Sequence, residues 1–101
     1  MWCIVMFDVP VRTKVQRRKY AQFRTHLLSD GFIQLQYSVY AKYFGSEKKS
    51  ESTLGATVGK IPEEGYVRIL KVTDHQFGKM ENYFGDTLIE GEEVDEQFML
   101  F

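Results

Sequence analysis

The chain has 101 residues, a formal net charge of −1, 44% hydrophobic and 27% charged residues, and a single cysteine. That length holds one domain, expected over 1–101, and leaves no room for a second. One cysteine excludes an internal disulfide or a four-cysteine zinc site and suits a reducing, cytoplasmic setting. The opening apolar run Trp2–Phe7 is cut off by Asp8 and Pro10. It is too short for a secretory core or a membrane span, so no membrane partner is expected. The near-neutral total conceals an asymmetry: residues 1–62 carry +6 and residues 63–101 carry −7. A basic half suits phosphates, although solvated surface accounts for the same charges.

Trp2–Phe7 has no alternation, which predicts a central strand covered on both faces. Pro10 ends it, having no N–H for a ladder. Thr13 and Gln16 are spaced as a capping box opening a helix. Its apolar stripe is Val15, Tyr20, Phe23 and Leu27 with Leu28 at the edge, and Lys14, Arg17, Arg18 and Arg24 fall opposite. Asp30-Gly31 supplies the stop. Residues 33–43 alternate as one long strand: Ile33, Leu35, Tyr37, Val39, Ala41 and Tyr43 on an apolar side, Gln34, Gln36, Ser38, Tyr40 and Lys42 on a polar one. A second helix is expected from about Glu47 to Pro62, weakened by Gly55 and Gly59, then an inner strand over Tyr66–Val72. Thr73–Met80 predicts a short helical turn, Asn82–Phe84 a short strand, Glu90–Glu96 an acidic connector and Gln97–Phe101 a last strand.

These elements are expected to assemble as an α+β, ferredoxin-like βαββαβ sandwich with an additional C-terminal strand, both helices on one face of an antiparallel sheet. The opposite face then needs cover, and an apolar terminal strand left as an open edge is an aggregation hazard. Pairing with a second copy hides both, so a homodimer is expected, with 91–101 as a tail for dimer or partner contact.

Asp8 is the only carboxylate in the first 29 residues and stands where a buried strand ends. A strand terminus holds a side chain rigidly at the sheet rim, as a catalytic group requires. From residue type and position alone, an Asp there also serves to hydrogen-bond the following turn. One carboxylate is sparse for Mg²⁺, but a two-fold axis past Asp8 presents two, and an ion between them orients a water and neutralises a phosphodiester oxygen. Arg12, Lys14, Arg17, Arg18 and Arg24 form the best phosphate-contact surface. Ser38, on the polar side of the long strand, also fits plain exposed surface. Base stacking by Tyr37, Tyr40 and Tyr43 is set aside, since Tyr37 and Tyr43 share the apolar side and are expected in the core. His26 and His75 have no metal-ligand spacing, Cys3 is expected to be core, and no G-x-G-x-x-G, Walker loop or H-E-x-x-H is present.

Ile4-Val5-Met6-Phe7-Asp8-Val9-Pro10, the basic helix with Tyr20 and Phe23-Arg24, Gly31-Phe32, Gln36-Tyr37-Ser38-Val39-Tyr40, Gly65-Tyr66-Val67-Arg68, Val72-Thr73 with Gln76-Phe77, and Gln97–Phe101 together resemble the CRISPR-associated Cas-two family, most of all its type II members. The resemblance spans essentially the whole chain. It implies a ferredoxin-like homodimer joined in part by terminal strands. It also implies a small endonuclease cutting RNA or DNA with Mg²⁺ or another divalent cation such as Mn²⁺. The partners it implies are duplex DNA, single-stranded RNA and the CRISPR integrase, which the dimer bridges while foreign DNA is inserted as spacers. The family's metal aspartate falls on Asp8, preceded here by Phe7 instead of the frequent tyrosine, and its first-helix arginines fall on Arg12, Arg17 and Arg18. Phe7 and Ser38 are the residues expected to back the Asp8 site. A non-catalytic, DNA-binding adaptor of the integrase is the alternative function. Fold alone leaves an unrelated regulatory domain open as well.

Overall fold

Three interdigitated aromatic rings hold the two layers of the molecule together. The computed structural model describes residues 1–89. Trp2–Asp8 forms β1, Lys14–Ser29 α1, Ile33–Gln36 β2, Val39–Tyr43 β3, Glu47–Gly59 α2, Tyr66–Val72 β4, Asp74–Gly78 α3, Asn82–Phe84 β5 and Thr87–Ile89 β6. The main sheet has the order β2-β3-β1-β4 with every neighbouring pair antiparallel. With α1 between β1 and β2 and α2 between β3 and β4, this is the ferredoxin-like βαββαβ sandwich. Strands β5 and β6 form a separate two-stranded sheet. The expected connector over 90–96, the strand over 97–101 and the tail role of 91–101 lie outside the described residues.

Both capping boxes form. The Thr13 hydroxyl accepts from the Gln16 N–H at 3.0 Å while Gln16 Oε1 accepts from the Thr13 N–H at 3.0 Å. Thr73 and Gln76 repeat the exchange at the start of α3. Ser46 caps α2 by accepting from the Lys49 N–H. Alternation along β1 then sends Cys3, Val5 and Phe7 toward the helices, where Phe23 and Leu27 of α1 and Leu54 of α2 close over them. The Phe7 ring meets Phe23 edge-on at 5.0 Å and stacks on Tyr40 at 5.6 Å. Each such fully buried side chain contributes roughly 1.5–3 kcal/mol through burial alone. Cys3 is core as expected, and burial pushes its thiol pKa up.

Several expectations are corrected. Residues 33–43 are not one strand but a hairpin, broken at Tyr37-Ser38, where Ser38 takes the left-handed φ of 61°. No Gly, Pro or Asn marks the turn, so the alternation runs through it unbroken. The sides assigned there also fail: Gln34 and Tyr40 are buried against the helices, whereas Tyr37 and Tyr43 are 58% and 50% exposed. Pairing settles this, because Tyr40 lies across from the inward-facing Val5. Strand β4 is an edge of the described sheet and not an inner strand. Val15 and Leu28 of the α1 stripe are exposed, leaving Phe23 and Leu27 as its buried members. Strand β6 went unexpected, although Gly85-Asp86 between Phe84 and Thr87 is a two-residue hairpin signal.

The outer face of the sheet carries Ile4, Met6, Val39 and Ala41, with Leu70 half exposed. Among the described residues only part of it is covered. Trp2 stacks flat on Phe77 of α3 at 4.0 Å, and residues Met80–Tyr83 run beside Ile4, Met6, Leu35 and Val39, leaving a cleft of about 360 Å³. Among the described residues no helix is long and apolar enough to cross a membrane.

Phe23→Ala should destabilise the protein by about 3–5 kcal/mol, whereas Val15→Ala on the same helix should cost under about 0.5 kcal/mol. Urea unfolding of the two variants measures the difference, and equal losses would contradict the assignment of the α1 core face.

Candidate functional site

Two-residue periodicity places neighbours Phe7 and Asp8 on opposite sides of the sheet. Phe7 is 7% exposed, its ring held by Phe23, Tyr20 and Tyr40. It therefore supports Asp8 through the backbone alone, not beside its carboxylate. Asp8 is exposed on the outer face and paired with Tyr66 of β4. On the other flank the Phe7 N–H donates to the Ser38 carbonyl at 3.0 Å. The strand end is thus pinned from both sides.

Asp8 opens into a recess of about 550 Å³ whose walls include Arg12, Gln16, Glu64 and Tyr66. The Pro62–Gly65 turn is what brings Glu64 there. Its Gly65 N–H donates to the Pro62 carbonyl at 2.8 Å. A Cβ at Gly65 would stand 3.1 Å from that oxygen and 3.2 Å from Val9 Cγ2, so the turn packs this tightly on the loop after β1 only because position 65 is glycine. Gln16 ties the two loops together. Its Oε1 accepts from the Arg12 and Thr13 N–H groups, and its Nε2 donates to Glu64 Oε2 at 3.3 Å.

The expected basic surface divides. Arg12, Lys14 and Arg18 are exposed around the start of α1, and Arg12 lines the Asp8 recess. Arg17 spends Nη1 on the Val11 and Arg12 carbonyls at 3.3 and 3.0 Å, anchoring the loop that carries Arg12. Arg24 is half-buried, donating to Gln34 Oε1 at 3.4 Å. Burial pushes the Tyr40 hydroxyl pKa up, and the neighbouring Arg24 cation offsets only part of that rise. Ser38 sits in the β2–β3 turn, not on an exposed strand face, with Oγ 3.3 Å from the Tyr20 hydroxyl. Burial raises the Tyr20 pKa to about 12, so Tyr20 is neutral at any physiological pH.

In the sequence Tyr66 and Arg68 stand out only as part of a strand and of the resemblance, not as site residues. The Arg68 guanidinium lies 4.9 Å from the Tyr66 ring centroid, and its Nη2 donates to the Tyr66 hydroxyl at 3.2 Å. The pairings Asp8↔Tyr66 and Met6↔Arg68 put this cation–π pair on the same face as Asp8. Only the register between two distant strands carries that signal.

Among the described residues no three His, Cys, Asp or Glu side chains converge as a metal cage. His26 and His75 fall on α1 and α3, His26 Nε2 lying 3.3 Å from Asp30 Oδ2. An exposed, hard-oxygen Asp8 fits a cation such as Mg²⁺, which takes one or two carboxylates and fills its sphere with water and phosphate.

The sequence model of the family described as CRISPR associated protein Cas2 matches residues 1–80. A Parvibaculum lavamentivorans protein named CRISPR-associated endoribonuclease Cas2 is 44% identical over 85 residues, 84% of each chain. A Flavobacterium psychrophilum protein of the same name is 34% identical over 101 residues, covering all of this chain and 88% of its own. The crystal structure of Streptococcus pyogenes Cas2 superimposes with a TM-score of 0.65 at 16% identity, spanning 83% of this chain and all of that one, which supports the shared fold. A match this long, with Asp8 at the end of the central strand of the same fold, makes the chain a member of the CRISPR-associated Cas2 family.

Proposed function

We propose that this protein is a divalent-metal-dependent endonuclease that hydrolyses phosphodiester bonds in RNA or DNA and works as a homodimer. The observation that carries this reading is the placement of Asp8: exposed, rigidly held on the outer sheet face, in a recess shared with Arg12 and Tyr66. The names of the relatives, each called an endoribonuclease, support it.

Asp8 binds the cation through its carboxylate, and the corresponding Asp8 of a second copy completes the pair. A bound Mg²⁺ or Mn²⁺ supplies a water of lowered pKa and neutralises a phosphate oxygen. Arg12 holds a phosphate at the rim of the recess, and Arg17 fixes the loop from which Arg12 projects. Lys14 and Arg18 extend the contact along the strand without reading its sequence. The half-exposed apolar face with Ile4, Met6 and Leu70 is the surface on which the second copy seats, because burying it is favourable by roughly 25 cal/mol per Å².

The exposed Arg12, Lys14 and Arg18 also favour a second reading. In it the dimer is a bridge that binds duplex DNA for the CRISPR integrase and cuts nothing itself.

Asp8→Asn should lower metal-dependent cleavage of RNA and duplex DNA by about 100-fold or more, the scale of losing a charge-stabilising catalytic group, while the oligomer survives. Equal cleavage by wild type and variant would remove Asp8 from catalysis and leave the bridging role. Leu70→Glu should shift the species seen by analytical ultracentrifugation from dimer to monomer, since it buries an unpaired charge. An undisturbed dimer would place the contact elsewhere. Replacing Lys14 and Arg18 together by Ala should weaken duplex binding and flatten its dependence on log salt by about 2. An unchanged slope in a titration by fluorescence anisotropy would move the phosphate contacts off α1.

A further inference from the structure

The β2–β3 turn presents an aromatic ring that the fold itself does not consume. Tyr37 is 58% exposed although it follows a strand of a packed sheet. One face of its ring is occupied: it stacks on Tyr20 of α1 with centroids 5.7 Å apart and planes 17° from parallel. Among the described residues no second aromatic ring stacks on Tyr37. Two contacts and one backbone angle define the turn. Ser38 holds a left-handed φ of 61°, its Oγ lies 3.3 Å from the Tyr20 hydroxyl, and its carbonyl accepts from the Phe7 N–H at 3.0 Å. A serine held at positive φ is backbone strain that the surroundings enforce, and such strain clusters where a side chain must be aimed.

The surroundings are cationic. Arg17 and Arg24 stand at i−3 and i+4 from Tyr20, on the same face of α1 as the ring under Tyr37. The position also relates to Asp8. The bond from the Phe7 N–H to the Ser38 carbonyl sets the turn against the residue that precedes Asp8 at the end of β1. Tyr37 leans onto α1, the side opposite the outer sheet face, so it stays open when that face is covered by a second copy.

We propose that Tyr37 is a stacking platform for an unpaired nucleobase, which lays the adjoining sugar-phosphate chain across the end of β1. A pre-stacked ring loses little freedom when a base adds to it, and every base has a π-face to offer. Paired bases are stacked inside their helix and cannot reach the platform, so the site prefers single-stranded RNA or DNA, or a frayed end, over duplex. This inference rests on the nucleic-acid reading above and assigns to that site a preference for unpaired nucleotides.

The test compares wild type, Tyr37→Leu and Tyr37→Phe in anisotropy titrations with labelled single-stranded RNA, single-stranded DNA, duplex DNA and a single strand carrying abasic sites. Leu keeps apolar cover on Tyr20 but has no π-face, which separates stacking from folding. Tyr37→Leu is expected to weaken single-strand binding about ten-fold, within the range measured for one stacked base, with Tyr37→Phe close to wild type. Duplex affinity and affinity for the abasic strand are expected to be unchanged between wild type and Tyr37→Leu. Equal loss on base-containing and abasic strands, or no loss on either, overturns the platform while leaving the Asp8 reading intact. If wild type binds none of the four, the platform falls together with the nucleic-acid reading. RNA and DNA strands that respond alike mean the base alone is read; a response confined to one of them overturns the base-only platform.

Discussion

The packing of Phe7 between Phe23 and Tyr40 is the constraint on which the remainder of the molecule turns. It locks the register of β1 and with it the sidedness of every residue in that strand. A slip by one position would bury a carboxylate among aromatic rings, at a cost of several kcal/mol for an uncompensated charge. The core therefore does more than hold the layers together. By claiming Phe7, it obliges Asp8 to face outward, and by pairing with β3 and β4 it holds that strand end still on both sides.

From that fixed point the neighbouring loops are set by a handful of polar side chains. The amide of Gln16 both caps α1 and grips Glu64, and the guanidinium of Arg17 satisfies two carbonyls of the loop between β1 and α1. Neither group lies in the core, yet together they determine where Arg12 projects. The basic residues of α1 thus perform three tasks: Lys14 and Arg18 face solvent, Arg17 braces a loop, and Arg24 reaches inward to Gln34.

Much of the fold was legible because local chemistry announced it. The two Thr-x-x-Gln boxes and the stop at Asp30-Gly31 each became the element they suggested, and the unbroken run became a central strand, though with its outer face only half-buried. Asp8 was legible as the end of a buried strand. What escaped depended on partners far away in the chain. The turn at Tyr37-Ser38 uses a non-glycine residue at positive φ, so composition gave no warning and the alternation ran straight through. The sides of β3 follow from pairing with β1, which no local pattern encodes. The Tyr66–Arg68 pair gained interest only when the register laid it beside Asp8. Arg24 was grouped with the cations opposite the apolar stripe, yet it stands one helical turn from Tyr20 and reaches the buried Gln34.

The grip of Gln16 on Glu64 joins two stretches separated by 48 positions. An amide can offer an oxygen to one neighbour and a hydrogen to another, and a carboxylate cannot do both. Exchange of Gln16 for glutamate would keep the cap but set two anions against each other; exchange of Glu64 for lysine would abandon the tether and set a second cation beside Arg12. Substitutions at these places are consequently not independent events, and drift at one constrains what the other can become.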